Sequence, residues 1–149
     1  MSEHHAKIAW KLETDSFDYK TYNREHRWEF PGGEAVRASA APAFLGKPEC
    51  VDPEEAFVAS LSACHMLTFL ALASMKKFVI ESYEDDAVGY LEKNEAGKSA
   101  ITRVVLRPNI VFSGDNSPSQ EDLDWIHEKA HKECFIANSV TTGITIEAP

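Results

Sequence analysis

The stretch DPEEAFVASLSACHMLTFLALASMKK, from Asp52 to Lys77, constrains the fold more than any other part of the chain. Asp52 is a good helix N-cap, Pro53 suits the first helical position, and Glu55 completes an Asp-x-x-Glu capping box. From Ala56 to Met75 there is no Asp, Glu, Lys or Arg. A helix apolar on every side has to be buried or lie in a membrane. Its length, about 30 Å, would barely reach across a bilayer. Ser60, Ser62, His65, Thr68 and Ser74 dilute the run and no second one exists, so a buried strut is expected and a membrane partner is not.

Composition narrows the class. A chain of 149 residues is most economically one domain, 1–149, large enough to bury roughly 70% of its unfolded surface. The formal net charge is −9 and no basic cluster interrupts it, so counterion release cannot drive binding to nucleic acid. The opening MSEHHAKIAWKLE has no apolar core of a secretory signal. Three cysteines, Cys50, Cys64 and Cys134, make an odd count, which fits reduced cytoplasmic thiols better than an extracellular disulfide framework.

Around the central helix the pattern is mostly of strands. Ala6 to Glu13 alternates, with Ile8, Trp10 and Leu12 on one side. Asp15 to Asn23 is polar and aromatic and reads as a connection. Arg24 to Phe30 alternates clearly, Pro31-Gly32-Gly33 is a turn, and Glu34 to Ala40 returns as the partner strand. Arg24 shares parity with Trp28 and Phe30 and is expected to point inward, unlike Arg27. Val79 to Glu92 and Ser99 to Phe112 read as two long strands around an Asn94–Gly97 turn, with Pro108 marking an edge or bulge. A second helix is expected from an N-cap at Ser117, with Pro118 first in the helix and Gln120 closing its box, to about Glu133. Its inner stripe is Leu123, Ile126, His127, Ala130 and Cys134. Ser139 to Glu147 closes as a last strand. The order implies an α+β fold with an antiparallel sheet.

Cys64 and Cys134 are the candidates for chemistry. Each is compatible with simple packing, since free cysteine is among the most buried residue types. Cys64 sits too far along its helix for the dipole to activate it, so a thiolate there needs a nearby cation. Cys134, on the inner stripe of the second helix, points toward the core that the first helix fills, so the two thiols could be a redox pair or two packed residues. Glu54 stands ten residues before Cys64, about 15 Å along the helix axis. If both serve one site, the glutamate arrives from a second copy of the chain. A competing constellation is His127, His131 and Cys134 on one side of a helix, which with Cys64 or His65 would make a tetrahedral metal site in a non-catalytic binding dimer. Cys50, in a Pro- and Gly-containing loop, has no evident partner.

The two cysteine segments resemble a known family. DPEEAFVASLSACH is similar to the Asn/Asp-Pro-Glu…Ser/Ala-Ala-Cys segment of the OsmC/Ohr proteins, the osmotically inducible and organic-hydroperoxide-resistance family. AHKECFIANSVTTGITIE resembles the family's second segment, an Ala-His-x-x-Cys run leading through a small-Asn-small step into an alternating strand. The resemblance covers the chain from about Tyr22. It implies an intertwined homodimer acting as a cysteine-based thiol peroxidase that detoxifies organic hydroperoxides in oxidative stress. Cys64 matches the peroxidatic and Cys134 the resolving cysteine, while Glu54 matches the family glutamate. The family arginine falls in Asn23-Arg24-Glu25-His26-Arg27, which lacks the usual glycines, and parity favours Arg24. Phe135-Ile136 stands where many members carry Pro-Tyr or Pro-Val. No cofactor is implied, and an external thiol, dihydrolipoyl-type or other, would return the electrons. Apolar walls for an organic substrate are expected from Phe57, Leu61 and Met75, with Phe135 nearby.

Overall fold

Asp52 caps the central helix as its sequence promises. The Asp52 carboxylate accepts from the Glu55 N–H at 2.8 Å, and the Glu55 carboxylate accepts from the Asp52 N–H at 3.0 Å. The helix, α1, runs Pro53–Met75. Lys77 ends it in the left-handed conformation (φ 62°), with Phe78 N–H donating to Ala73 C=O and Lys77 N–H to Ser74 C=O. The computed structural model describes residues 1–147 and 149, and the chain divides into two compact units, 1–56 and 57–149.

The first unit holds an antiparallel meander, β1 (Lys7–Ala9), β2 (His26–Glu29) and β3 (Ala35–Ala38), in the order β1-β2-β3. The Pro31–Gly33 turn forms as expected, with Gly33 at φ 98°. The first strand is much shorter than Ala6 to Glu13. Asn23 explains this: its side chain donates to Lys11 C=O at 3.0 Å and accepts from Glu13 N–H at 2.8 Å, taking bonds that a ladder would use. Arg24 also lies outside its strand, ahead of β2. Beyond β3 the chain loops through a single turn of 3-10 helix at Pro42–Phe44. A Cβ on Gly46 would fall 1.6 Å from the Ala40 carbonyl oxygen, so only glycine permits this loop crossing.

In the second unit, the two expected long strands are four. They are β4 (Val79–Asp85), β5 (Val88–Lys93), β6 (Ser99–Leu106) and β7 (Pro108–Ser113). The Asn94–Gly97 turn forms as read. Both arms of the hairpin break at the same level, where the Asp85 carboxylate accepts from the Arg107 N–H (2.6 Å) and from the Ser62 hydroxyl on α1 (2.5 Å). Those bonds take Arg107 off the ladder, and Pro108 opens the next strand, a position that tolerates its missing donor. Below the break β4 pairs with β7; above it β5 pairs with β6. The last strand, β8 (Gly143–Ile146), is parallel to β6, so the sheets are mixed rather than wholly antiparallel. The second helix, α2, runs Gln120–Glu133 and is capped by Ser119, not Ser117. Ser119 and Asp122 form the reciprocal box, which also sets a carboxylate in the first turn.

Two apolar clusters hold this unit together. Phe69 and Ala73 of α1 meet Ile126 and Ala130 of α2 over Ile80, Tyr83, Ile110 and Phe112. Leu61 meets Val104 and Leu106, with Ile144 and Ile146 of β8 beside them. The helix approaches β5 so closely that a Cβ on Gly89 would lie 2.4 Å from Val58. The expectation of all-round burial for α1 is not met within one chain. Its buried stripe is Leu61, His65, Phe69 and Ala73, while Leu67 and Met75 are 62% and 77% exposed.

Candidate active site

Within the second unit, α1 and α2 face each other and bring two thiols together. Cys64 is half-buried on α1; Cys134, at the C-cap of α2, is only 1% exposed. Both are free thiols, and they are near neighbours across the two helices. Burial pushes the Cys134 thiol up, and the neighbouring Cys64 thiol pushes it further. The Ala137 N–H, donating to the Cys134 sulfur at 3.4 Å, works in the opposite direction.

Next to this pair lies a histidine couple. His65 Nε2 and His127 Nδ1 share one hydrogen bond of 3.1 Å, and the rings are almost parallel, with planes 7° apart and centroids 5.4 Å apart. Phe69 packs on the His127 ring at 4.6 Å. His65 is pushed down to about 4, chiefly by burial and then by the positive charges of His127 and His131. Burial also lowers His127, against the pull of Asp124. The competing metal constellation does not assemble: among the described residues no three His, Cys, Asp or Glu side chains are placed to hold a metal ion. Cys50 is buried in its loop in the first unit.

The first unit contains a cavity of about 450 Å³, with Arg24 and Glu54 both on its wall. Arg24 reaches it without the help of strand parity. Its guanidinium donates to the carbonyls of Tyr22 (2.6 Å) and Tyr19 and lies over the Tyr22 ring at 3.6 Å. Arg27 is exposed and pairs with Glu29.

His26, also on the wall, was not singled out by sequence. Trp28 Nε1–H donates to its Nε2 at 2.9 Å, which leaves Nδ1 to donate to the Arg24 carbonyl at 2.8 Å. Those two bonds hold the ring in place, where it anchors the Arg24 main chain. The rest of the wall carries the aromatic rings of Trp10, Phe17, Tyr22 and Phe44 together with Ser39, Ala40, Ala41 and Pro53. The aromatic spacing in Asp15 to Asn23 was its only trace in the sequence. Of the four residues expected as walls beside the cysteines, Phe57 packs against the cluster of Leu61, Val104 and Leu106. Leu61 is core, while Met75 and Phe135 are 77% and 80% exposed.

A model of the OsmC-like protein family matches residues 46–148, most of the chain. Among solved structures, an OsmC-like protein of unknown function from Vibrio cholerae O1 biovar eltor is 49% identical, with TM-score 0.97 and full coverage of both chains. An organic hydroperoxide resistance protein from Legionella pneumophila aligns at TM-score 0.71 and 17% identity, over 99% of this chain and 96% of that one. Another, from Elizabethkingia anophelis, aligns at TM-score 0.72 and 17% identity, over 100% and 98%. These last two show the shared fold. No curated protein matches. A family match across both cysteine segments, together with the near-superposable Vibrio structure, establishes that this chain belongs to the OsmC-like family.

Proposed function

We propose that the protein is a two-cysteine thiol peroxidase that reduces organic hydroperoxides. One observation carries the reading: Cys64 and Cys134, 70 residues apart in sequence, are both free thiols and stand close enough for Cys64 to perturb the Cys134 thiol. Two packed cysteines have no need to meet, whereas a peroxidatic and a resolving thiol must. Relatives named for organic hydroperoxide resistance supply the substrate class.

In this cycle the Cys64 thiolate attacks the distal oxygen of ROOH. The O–O bond breaks, the alkoxide leaves and takes a proton as alcohol, and Cys64 is left as sulfenic acid. The Cys134 sulfur then attacks Cys64, the S–S bond forms, and the hydroxyl departs as water with the Cys134 proton. An external dithiol of dihydrolipoyl type, or another cytoplasmic thiol, restores both thiols by exchange and is oxidised in turn. Arg24 supplies the positive charge that stabilises the thiolate, with Glu54 beside it in the cavity. Because Glu54 and Cys64 are ten residues apart on α1, about 15 Å, the glutamate that serves a given Cys64 belongs to a second copy. The exposed Leu67 and Met75 give that copy an apolar face to cover.

The test is disulfide mapping by mass spectrometry after reduced protein meets one equivalent of an alkyl hydroperoxide. A Cys64–Cys134 bond should form, and Cys64→Ser should abolish peroxide consumption. Cys134→Ser should stall after one turnover with a trappable sulfenic acid on Cys64. Unaltered thiols after a molar excess of hydroperoxide would defeat the proposal.

A further inference from the structure

The seam between α1 and α2 is mostly apolar, and two of its residues are as small as alanine. Phe69 and Ala73 of α1 meet Ile126 and Ala130 of α2, with Leu72 and Leu123 beside them. Alanines on both sides give little relief against turning or sliding, so this packing alone leaves the register of the two helices loosely determined. Among the described residues, two polar contacts cross the seam. Lys76, just beyond α1, meets Asp122 at 3.5 Å in an exposed pair that contributes little. The other is the His65–His127 bond of 3.1 Å, with His65 only 2% exposed.

For stability alone, two imidazoles are a poor choice at this place. Their desolvation opposes burial, and an apolar pair of similar size commonly holds packed elements together as well or better. What an apolar pair lacks is direction. One ring must present a donor where the other presents an acceptor, and the almost parallel rings, 7° apart, meet that condition at one rotation of each helix. Fixing register is the best-attested use of a single buried polar contact between packed helices.

That register is passed on to the two thiols. Cys64 directly precedes His65, so whatever fixes the imidazole also fixes the place of the sulfur on α1. On α2, His127 and Cys134 are seven residues apart, about two turns, and fall on the same side. The Cys134 end is held locally: the Ala137 N–H donates to its sulfur at 3.4 Å, and the Asn138 side-chain amide donates to the Lys132 carbonyl at 3.0 Å. What remains to be set is the turn of α2 against α1. A turn of about 25° carries a side chain about 2 Å sideways, as far as the S–S bond is long. We propose that the His65–His127 couple is the positioning element of the resolving step, holding α2 on α1 in the register at which the Cys134 sulfur meets Cys64. Both histidines act through the helices and not on the peroxide. In that step the S–S bond forms, the S–O bond of the Cys64 sulfenic acid breaks, and the hydroxyl leaves as water with the Cys134 proton. The inference rests on the two-cysteine reading for its chemistry, but the register can be measured with no peroxide present.

The experiment separates the two steps of the cycle. Reduced full-length protein meets one equivalent of cumyl hydroperoxide. Loss of the hydroperoxide reads attack by Cys64; acid quench, thiol alkylation and mass spectrometry read disulfide closure. In the double variant His65→Leu/His127→Leu the first rate should stay within about twofold of wild type, while closure slows about ten- to a hundredfold and a dimedone-trappable sulfenic acid builds up on Cys64. His127→Asn, whose side-chain amide stands in for the ring Nδ1, should bring closure back to within about threefold. If the double variant fails to fold, His127→Phe, which keeps a ring in the seam, carries the same comparison. Closure at the wild-type rate, or equal slowing of both steps, would overturn the proposal. The second arm equilibrates each protein with reduced and oxidised glutathione and no peroxide. There the effective concentration of Cys134 at Cys64 should fall about tenfold or more in the same variants, and an unchanged value would overturn the positioning role. A wild type that consumes no hydroperoxide yet shows the glutathione difference would leave that role standing and remove the peroxidase reading.

Discussion

Cys64 and His65 are neighbours in sequence with opposite relations to charge. A step of about 100° around α1 sends the thiol toward Cys134 and the imidazole onto the buried stripe, where it is 2% exposed. The imidazole carries a pH liability. Its folded value of about 4 lies below the ordinary 6.5, so between these pH values the unfolded chain binds the extra proton and stability falls as pH drops. The loss amounts to about 2 kcal/mol by about pH 5, and His127, lowered in the same sense, adds to it. Urea denaturation at neutral pH and near pH 5 should show a loss in the wild type that is about 2 kcal/mol smaller in His65→Gln. Equal losses in both would sink the assignment. Adjacency to Cys64 was plain in the sequence. The bond to His127 was not, because it depends on how two helices are rotated about their axes.

At the level of elements, what the sequence revealed was what is local. The Asp52–Glu55 box, the Pro31–Gly33 and Asn94–Gly97 turns and the inner stripe of α2 are each decided within a few residues, and each formed. The breaks at Asp85 and Arg107 were hidden, because a hydroxyl from α1 and a backbone amide from the other arm meet on one carboxylate. Arg24 does not owe its direction to strand parity: its strand starts at His26, and the nearby Tyr22 and Tyr19 carbonyls aim its side chain. The end of α1 offers a direct test of local reading. Lys77 occupies a left-handed position that glycine holds without steric cost. Lys77→Gly should raise stability by about 0.5–1 kcal/mol, read as a higher Tm with unchanged thiol reactivity. A lower Tm would mean that the lysine side chain contributes more than its backbone strain costs.

For the molecule as a whole, α1 poses the question of what covers it. By length and composition it could cross a membrane, but four of its residues at helical spacing are buried inside the fold. The proposed second copy, on the Leu67 and Met75 side, would answer both this exposure and the separation of Glu54 from Cys64. Leu67→Glu should then shift the protein toward monomer in analytical ultracentrifugation. Mixing Glu54→Ala with Cys64→Ser protein should restore activity that neither has alone; no complementation at all would argue against a shared site. The parallel partnership of β6 and β8 has a further result, one that concerns synthesis. β7 and α2 lie between them in sequence, so the Val104–Val105–Leu106 edge of β6 is made well before the strand that covers it. A nascent chain therefore carries a bare, apolar strand edge while α2 is still being translated, and its protection from neighbouring chains in that interval depends on how fast the ribosome delivers Gly143–Ile146.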